Sequence, residues 1–183
     1  MNTKRIVTFA LVMFSAVATT LAQSTRQIGA WSIYTIQAGG KNTVMLQTAA
    51  VAQNGAAQDG SGVTTLSILC KNNKLSAIAL HIESGIDKHA VSYTQDVPLT
   101  PVAASIEGRN AASEKWAVTE KGHTFSPYSE VFQGKANRQW IQRLNSAHAV
   151  AFQVGGVEGD NSLQPTFHTE QLGEALSTAG CTN

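Results

Sequence analysis

Through most of the chain, apolar and polar residues alternate with a period of two, and only towards the C-terminal end do they recur with a helical period. Trp31–Ile36 and Thr43–Thr48 are rich in β-branched and aromatic residues, and Gly39-Gly40 between them provides a turn. Val63–Cys70 alternates cleanly, with Leu66, Ile68 and Cys70 on one face and Thr65 and Ser67 on the other. Lys71-Asn72-Asn73-Lys74 reads as a hairpin loop, because asparagine tolerates positive φ. The return strand, Leu75–Glu83, places Ile78, Leu80 and Ile82 on one face. Ser84–Lys88 is read as a further turn, delivering the chain into a strand over Ala90–Thr94. Lys115–Thr119 forms another strand carrying Trp116, and Pro127 closes a short segment at His123–Phe125.

From Lys135 the period changes. Ala136, Trp140, Ile141 and Leu144 fall on one side of a helix over Lys135–Ser146. His148–Val154 returns to strand, with Val150, Phe152 and Val154 on one side. Thr169–Ala179 predicts a last helix striped by Leu172, Ala175, Leu176 and Ala179, with Thr169 as its N-terminal cap and Gly180 as its stop. Short strands followed by two late helices define an α+β fold. Its antiparallel sheet is expected to curl into a sandwich or partial barrel.

The N-terminus is of a different kind. Lys4 and Arg5 precede the uncharged apolar run Ile6–Leu21, and small residues at Thr20 and Ala22 suit cleavage after Ala22. A spanning helix needs about 20 apolar residues, and this run is shorter and interrupted by Thr8, Ser15, Thr19 and Thr20. Residues 1–22 are therefore expected to be a cleaved signal peptide, leaving 23–183 as a single domain in the periplasm or outside the cell. Losing Lys4 and Arg5 takes the formal charge from +1 to −1. This balance argues against nucleic acid or an anionic membrane surface as a general partner. In an oxidising compartment the chain's two cysteines, Cys70 and Cys181, are expected to pair. Closing so long a loop contributes up to roughly 4–5 kcal/mol, a major share of a total stability of about 5–15 kcal/mol.

A tryptophan-led first strand (Trp31), a strand ending in cysteine (Leu66–Cys70), a Tyr-x-x-Asp segment (Tyr93–Asp96), a second tryptophan (Trp116) and a terminal Phe–helix–Cys unit (Phe167–Cys181) follow in order. This arrangement resembles that of small periplasmic proteins associated with bacterial type VI secretion, and of uncharacterised exported proteins sharing their β-rich core. The chain departs from those proteins in two ways. It has no Cys-Tyr-Asp segment before the first tryptophan, and Leu69 stands where they favour arginine. The resemblance thus implies a fold and a non-enzymatic role, not a place in the secretion machine.

Candidate chemistry is sparse. The glycines of Gln53–Gly62 lack the Gly-Lys-Ser/Thr ending of a phosphate-binding loop, and no cofactor is expected. His81 and Glu83 share a strand face, and across a hairpin turned by Ser84–Lys88 they would meet His89. Two histidines and a carboxylate suit zinc with a fourth position open, although an exposed polar strand face is the simpler reading. His123, Ser126 and Asp96 offer a nucleophile set without a Gly-x-Ser-x-Gly elbow. Glu107, Glu114, Glu120 and Glu130 have no fixed separation that would pair them as acid and base. His148 and His168 read as rim residues. Lys135, Arg138 and Gln142 line one side of the penultimate helix, with Arg143 nearby, as a solvated face or a docking surface for an acidic partner. The expectation is an exported, non-enzymatic binding or structural accessory of the bacterial envelope, its partner another envelope protein. A periplasmic small-ligand or metal-binding protein is the alternative, and a small hydrolase comes third.

Overall fold

The computed structural model describes residues 25–38, 41–51, 64–83, 85–86, 91–110, 113–119, 122–129, 133–155 and 162–181. The expected signal segment, the turns at 39–40 and 87–90, and His89, Glu120 and Glu130 lie outside them.

An antiparallel run forms the first half: β1 (Thr25–Ile28), β2 (Trp31–Ala38), β3 (Lys41–Ala49), β4 (Thr65–Lys71) and β5 (Lys74–His81) each pair with the next. Asn72 and Asn73 take φ of 52° and 62° between the paired Lys71 and Lys74. Two left-handed residues make the tight turn whose twist matches the flanking strands. One irregularity was not foreseen. Leu69 pairs Ala77 but Cys70 pairs Leu75, so Ser76 is an extra residue in β5. Such a bulge switches side-chain parity, and Leu75 and Ile78 can therefore both pack on the core.

The chain does not continue as a meander after β5. The strand read over Ala90–Thr94 is β6 (Ser92–Thr94), and it pairs with β7 (Val97–Ile106) rather than with β5. The free side of β5 is taken by β10 (Thr124–Pro127), with Thr124 opposite His81 and Phe125 opposite Leu80. The strand expected to return beside β5 is thus replaced there by a non-local pairing. The cause is burial: Phe125 is fully buried beside Leu80, whereas exposed Ser92 and Tyr93 on β6 have no apolar face to place there. β9 (Glu114–Val118) follows β10 in the sheet, then β7, which also carries the two-residue β8 (Arg109–Asn110). Beyond β7 lies β11 (Ala149–Gly155), paired with β12 (Ser162–Leu163) and β13 (Thr166–His168).

The sheet curls until Val51, just past β3, meets Thr166 of β13 in a single bridge, its N–H donating to the Thr166 carbonyl at 2.7 Å. Among the described residues this contact is one bridge in place of a ladder, which makes the sheet a partial barrel. Trp31, Leu66, Ile68, Ile78, Leu80, Trp116, Phe125, Phe152 and Phe167, all fully buried, fill the concave side. Helices α1 (Gln133–Asn145) and α2 (Leu172–Thr178) bring Trp140, Ile141, Leu144, Leu172 and Ala175 into the same core. Trp140 meets Trp116 edge-on at 5.2 Å between ring centroids and Phe152 at 5.6 Å, within the range at which aromatic pairs add to simple burial.

The C-terminal helix stops where its sequence indicates. Gly180 has φ of 65°, its N–H donates to the Ser177 carbonyl, and the Cys181 N–H donates to the Leu176 carbonyl. This double bond pattern closes a helix through a left-handed glycine, and it delivers Cys181 to Cys70 on β4 with Cα atoms 5.8 Å apart. The disulfide expected from the two cysteines is present. The expected cap is not. Buried Thr169 donates its hydroxyl to the Ala147 carbonyl, and α2 begins instead after Gln171, which has φ of 61° and makes no side-chain cap.

Candidate functional site

Two groups of chemistry-bearing side chains were anticipated, and the structure separates them. The first is at the end of β5. His81 lies with Nε2 at 3.3 Å from Glu83 Oε2 and Nδ1 at 3.2 Å from Thr124 Oγ1. His123, which sequence spacing did not connect with this pair, stacks beside His81 at 6.2 Å between ring centroids. The His123 Nδ1 is engaged with the Ile82 carbonyl at 3.1 Å. These bonds hold β5 against the segment leading into β10, and they occupy both nitrogens of His81. Among the described residues no three His, Cys, Asp or Glu side chains converge to hold a metal ion. His89, the third ligand envisaged, lies outside the described residues.

The second group is on α1. A helix of composition Gln-Gly-Lys-Ala-Asn-Arg-Gln-Trp-Ile-Gln-Arg-Leu-Asn has three cations and no acid. One of those cations, Lys135, stands in its first turn, where the helix dipole disfavours positive charge by typically about 0.3–1 kcal/mol. Lys135, Gln139 and Arg143 recur every fourth residue and so form one ridge. That ridge is the wall of an open groove of about 450 Å³. Its other side is formed by Glu114 and Lys115 of β9 with Tyr128 and Ser129, and its base by Ala136 and Trp140. The sequence grouped Lys135, Arg138 and Gln142, with Arg143 nearby. All four are exposed; Lys135 and Arg143 line the groove, whereas Arg138 and Gln142 do not.

Glu114 organises the groove. One carboxylate oxygen accepts the Trp140 indole N–H at 2.8 Å and the other accepts from Arg143 at 2.6 Å. The Arg143 guanidinium in turn lies 5.0 Å from the centre of the Trp140 ring. Trp140 thus keeps its apolar body in the core and hands its single donor to a carboxylate at the rim. Trp31 and Trp116, by contrast, have buried indole nitrogens with no hydrogen-bond partner among the described residues. Sequence spacing could not have supplied Glu114, because it precedes the helix by about twenty residues and reaches it through β9.

The other candidates serve the framework. Glu107, in the β7–β8 turn, accepts hydrogen bonds from the backbone N–H of His148 and, at 3.1 Å, of Ala149. Those two bonds, followed by the charges of His148 and Arg109, hold its carboxyl below the ordinary glutamate range. His148 and His168 are exposed, as expected of rim positions. Asp96 sits in the left-handed tip of the β6–β7 hairpin, whereas Ser126 lies mid-strand in β10, opposite Ala117.

These features define an α+β protein with a curled antiparallel sheet, a packed interior, a disulfide-fastened terminal helix and a basic groove along α1. Among solved structures, the chain is similar to the crystal structure of invasion associated protein B from Bartonella henselae. The similarity has a TM-score of 0.55 and covers 85% of this chain and 94% of that one, at 13% sequence identity. It shows a shared fold. No protein-family model matches the chain, and no curated protein matches it. The comparisons thus support the β-rich architecture that the resemblance implied, and they supply no link to type VI secretion.

Proposed function

We propose that this protein is an exported, non-enzymatic accessory of the bacterial cell envelope that acts by binding another envelope protein through the α1 groove. The observation that carries this reading is the charge pattern of α1. An exposed helix face bears three cations and no acid, and one of them, Lys135, stands in the first turn against the helix dipole, a placement that does not serve the helix's own stability. An aromatic side chain anchored at the base of the groove gives it a rigid floor. The disulfide fits an oxidising compartment. Among the described residues no helix is long and apolar enough to cross a membrane. The similar structure carries an association with invasion in its own name, and an accessory role for this chain is consistent with it.

The alternative, a small ligand held inside the curled sheet, is less well supported, because buried aromatic and aliphatic side chains fill the concave side.

The test is site-specific photo-crosslinking in intact cells. A photoreactive residue replaces Gln139, which lines the groove, or Gln153, which is exposed on β11. A discrete adduct with one envelope protein from position 139 and none from position 153 is expected. Adducts of equal yield from both positions, or none from either, would sink the reading.

A further inference from the structure

We infer that the Cys70–Cys181 bond is made and opened from one end. A thiol–disulfide oxidase of the Cys-x-x-Cys class engages the protein at Cys181, and Cys70 completes the bond from inside the fold. This rests on the reading that the chain is exported to an oxidising compartment, and it adds the order of the sulfur chemistry there.

The two cysteines occupy unlike places. Cys70 stands in β4, a strand paired along both edges, with Val44 of β3 opposite it on one side and Leu75 of β5 on the other. It is 1% exposed and belongs to the apolar core. Cys181 follows the glycine stop of α2 and is half-buried. Two hydrogen bonds close its turn, from Gly180 N–H to the Ser177 carbonyl at 3.0 Å and from Cys181 N–H to the Leu176 carbonyl at 2.9 Å. Open space lies beside Gly180. Freeing Cys181 therefore breaks a turn at the end of a helix, whereas reaching Cys70 breaks the ladders on both sides of a central strand. Local opening of the first kind costs far less than opening of the second.

Folding order favours the same asymmetry. Two residues turn the β4–β5 hairpin, whereas the disulfide joins residues 111 apart in sequence. Local pairing precedes distant closure, because the entropy of a long loop must be offset by contacts already made. Cys70 is thus in the sheet, beside Leu66, Ile68 and Ile78, before Cys181 arrives.

The steps then have one order. The Cys181 thiolate attacks the oxidase disulfide, forming a mixed disulfide and releasing one oxidase thiolate. The Cys70 thiolate attacks Cys181 Sγ and displaces the second. The protein loses two electrons and two protons, and the oxidase ends as a dithiol. In reverse, a thiolate that opens the bond attacks Cys181 Sγ and expels Cys70.

The test uses the folded protein with its disulfide intact. It is exposed briefly to reduced glutathione, quenched with N-ethylmaleimide and cut with trypsin, which parts the cysteines into peptides 42–71 and 144–183. Glutathione on 144–183 with maleimide on 42–71 is expected, about tenfold or more above the converse pair. Glutathione shared equally, or carried mainly on 42–71, would overturn the inference. A second measurement takes Cys70→Ser and Cys181→Ser, each with one free thiol, and follows their reaction with dithiobis(nitrobenzoate). In buffer the Cys181 thiol should react about a hundredfold faster than the Cys70 thiol, and in urea the two rates should converge. A Cys70 thiol as fast in buffer as in urea also sinks the inference, because the fold then leaves it open before the bond forms. Both assays use purified protein, so their failure is distinct from failure of the crosslinking test in cells.

Discussion

Trp140 shows how one residue can link core and surface. Its ring packs on Trp116 and Phe152 while its N–H reaches Glu114 at the groove rim. Removing the carboxylate with Glu114→Ala leaves a buried indole donor without its acceptor, which costs about 1–3 kcal/mol. A urea midpoint lowered accordingly, together with a displaced Trp140 indole resonance, is the expected outcome. Gly180 is a second position where one residue decides a local structure. Open space surrounds it, so a methyl group would meet nothing. The whole cost of Gly180→Ala is backbone strain at φ of 65°, about 1–2 kcal/mol. A thermal unfolding scan checks this, and an unchanged midpoint would show that the turn relaxes. Glu107 sets a pH dependence with a defined sign. Its carboxyl is held below the ordinary range in the folded protein, so the stabilisation is complete above the unfolded value and is lost as pH falls through the folded one. Glu107→Gln should therefore lower the urea midpoint at neutral pH and leave it nearly unchanged at pH well below the carboxylate range.

Between elements, the meeting of α1 with the β4–β5 hairpin was the least legible from sequence. The alternation of Leu66, Ile68 and Cys70 against Ile78, Leu80 and Ile82 identified the hairpin, and the two asparagines identified its turn. The bulge at Ser76 left no mark that a period-two reading would notice. Its carbonyl, lacking a regular ladder partner, accepts the side-chain N–H of Asn137 at 3.0 Å. Asn137 stands in the apolar stripe of α1 and is 3% exposed, a polar residue whose presence there makes sense only through that bond. Asn137→Leu would leave the carbonyl unpaired and is expected to destabilise by about 1–3 kcal/mol. Exchange of the β5 amides near the bulge with deuterium should rise at the same time. The helix itself was read from Ala136, Trp140, Ile141 and Leu144. Which of its cations work together was not, because the groove ridge needs the opposing wall of β9 to define it.

At the scale of the molecule, Cys70–Cys181 spans a sequence separation of 111 residues and fastens the last helix to the fourth strand. A cross-link this distant removes much of the freedom of the unfolded chain, and losing a native one typically costs about 2–5 kcal/mol. Cys181→Ser should lower the thermal midpoint strongly, and the double variant with Cys70→Ser should be no worse than the single one. Equal stability of the variants and the parent would show that Leu172, Ala175 and the glycine-capped turn hold α2 without the staple. The sheet, meanwhile, is brought round by pairing of strands distant in sequence, β5 with β10 and β7 with β11, and among the described residues one bridge, Val51 to Thr166, joins the segment past β3 to β13.

Taken alone, the amino-acid sequence determined what depends on near neighbours. It specified most strands and both helices, the asparagine turn, the glycine stop and the buried stripes, because side-chain period and backbone preference act over a few residues. It also paired the cysteines, since only one pairing exists. Tertiary structure alone decided which strand lies beside β5, that His123 rather than the β6 hairpin packs against His81, and that Glu114 faces α1. Those outcomes depend on which apolar faces bury most surface when the whole sheet curls. That quantity belongs to the assembled fold, not to any window of the chain.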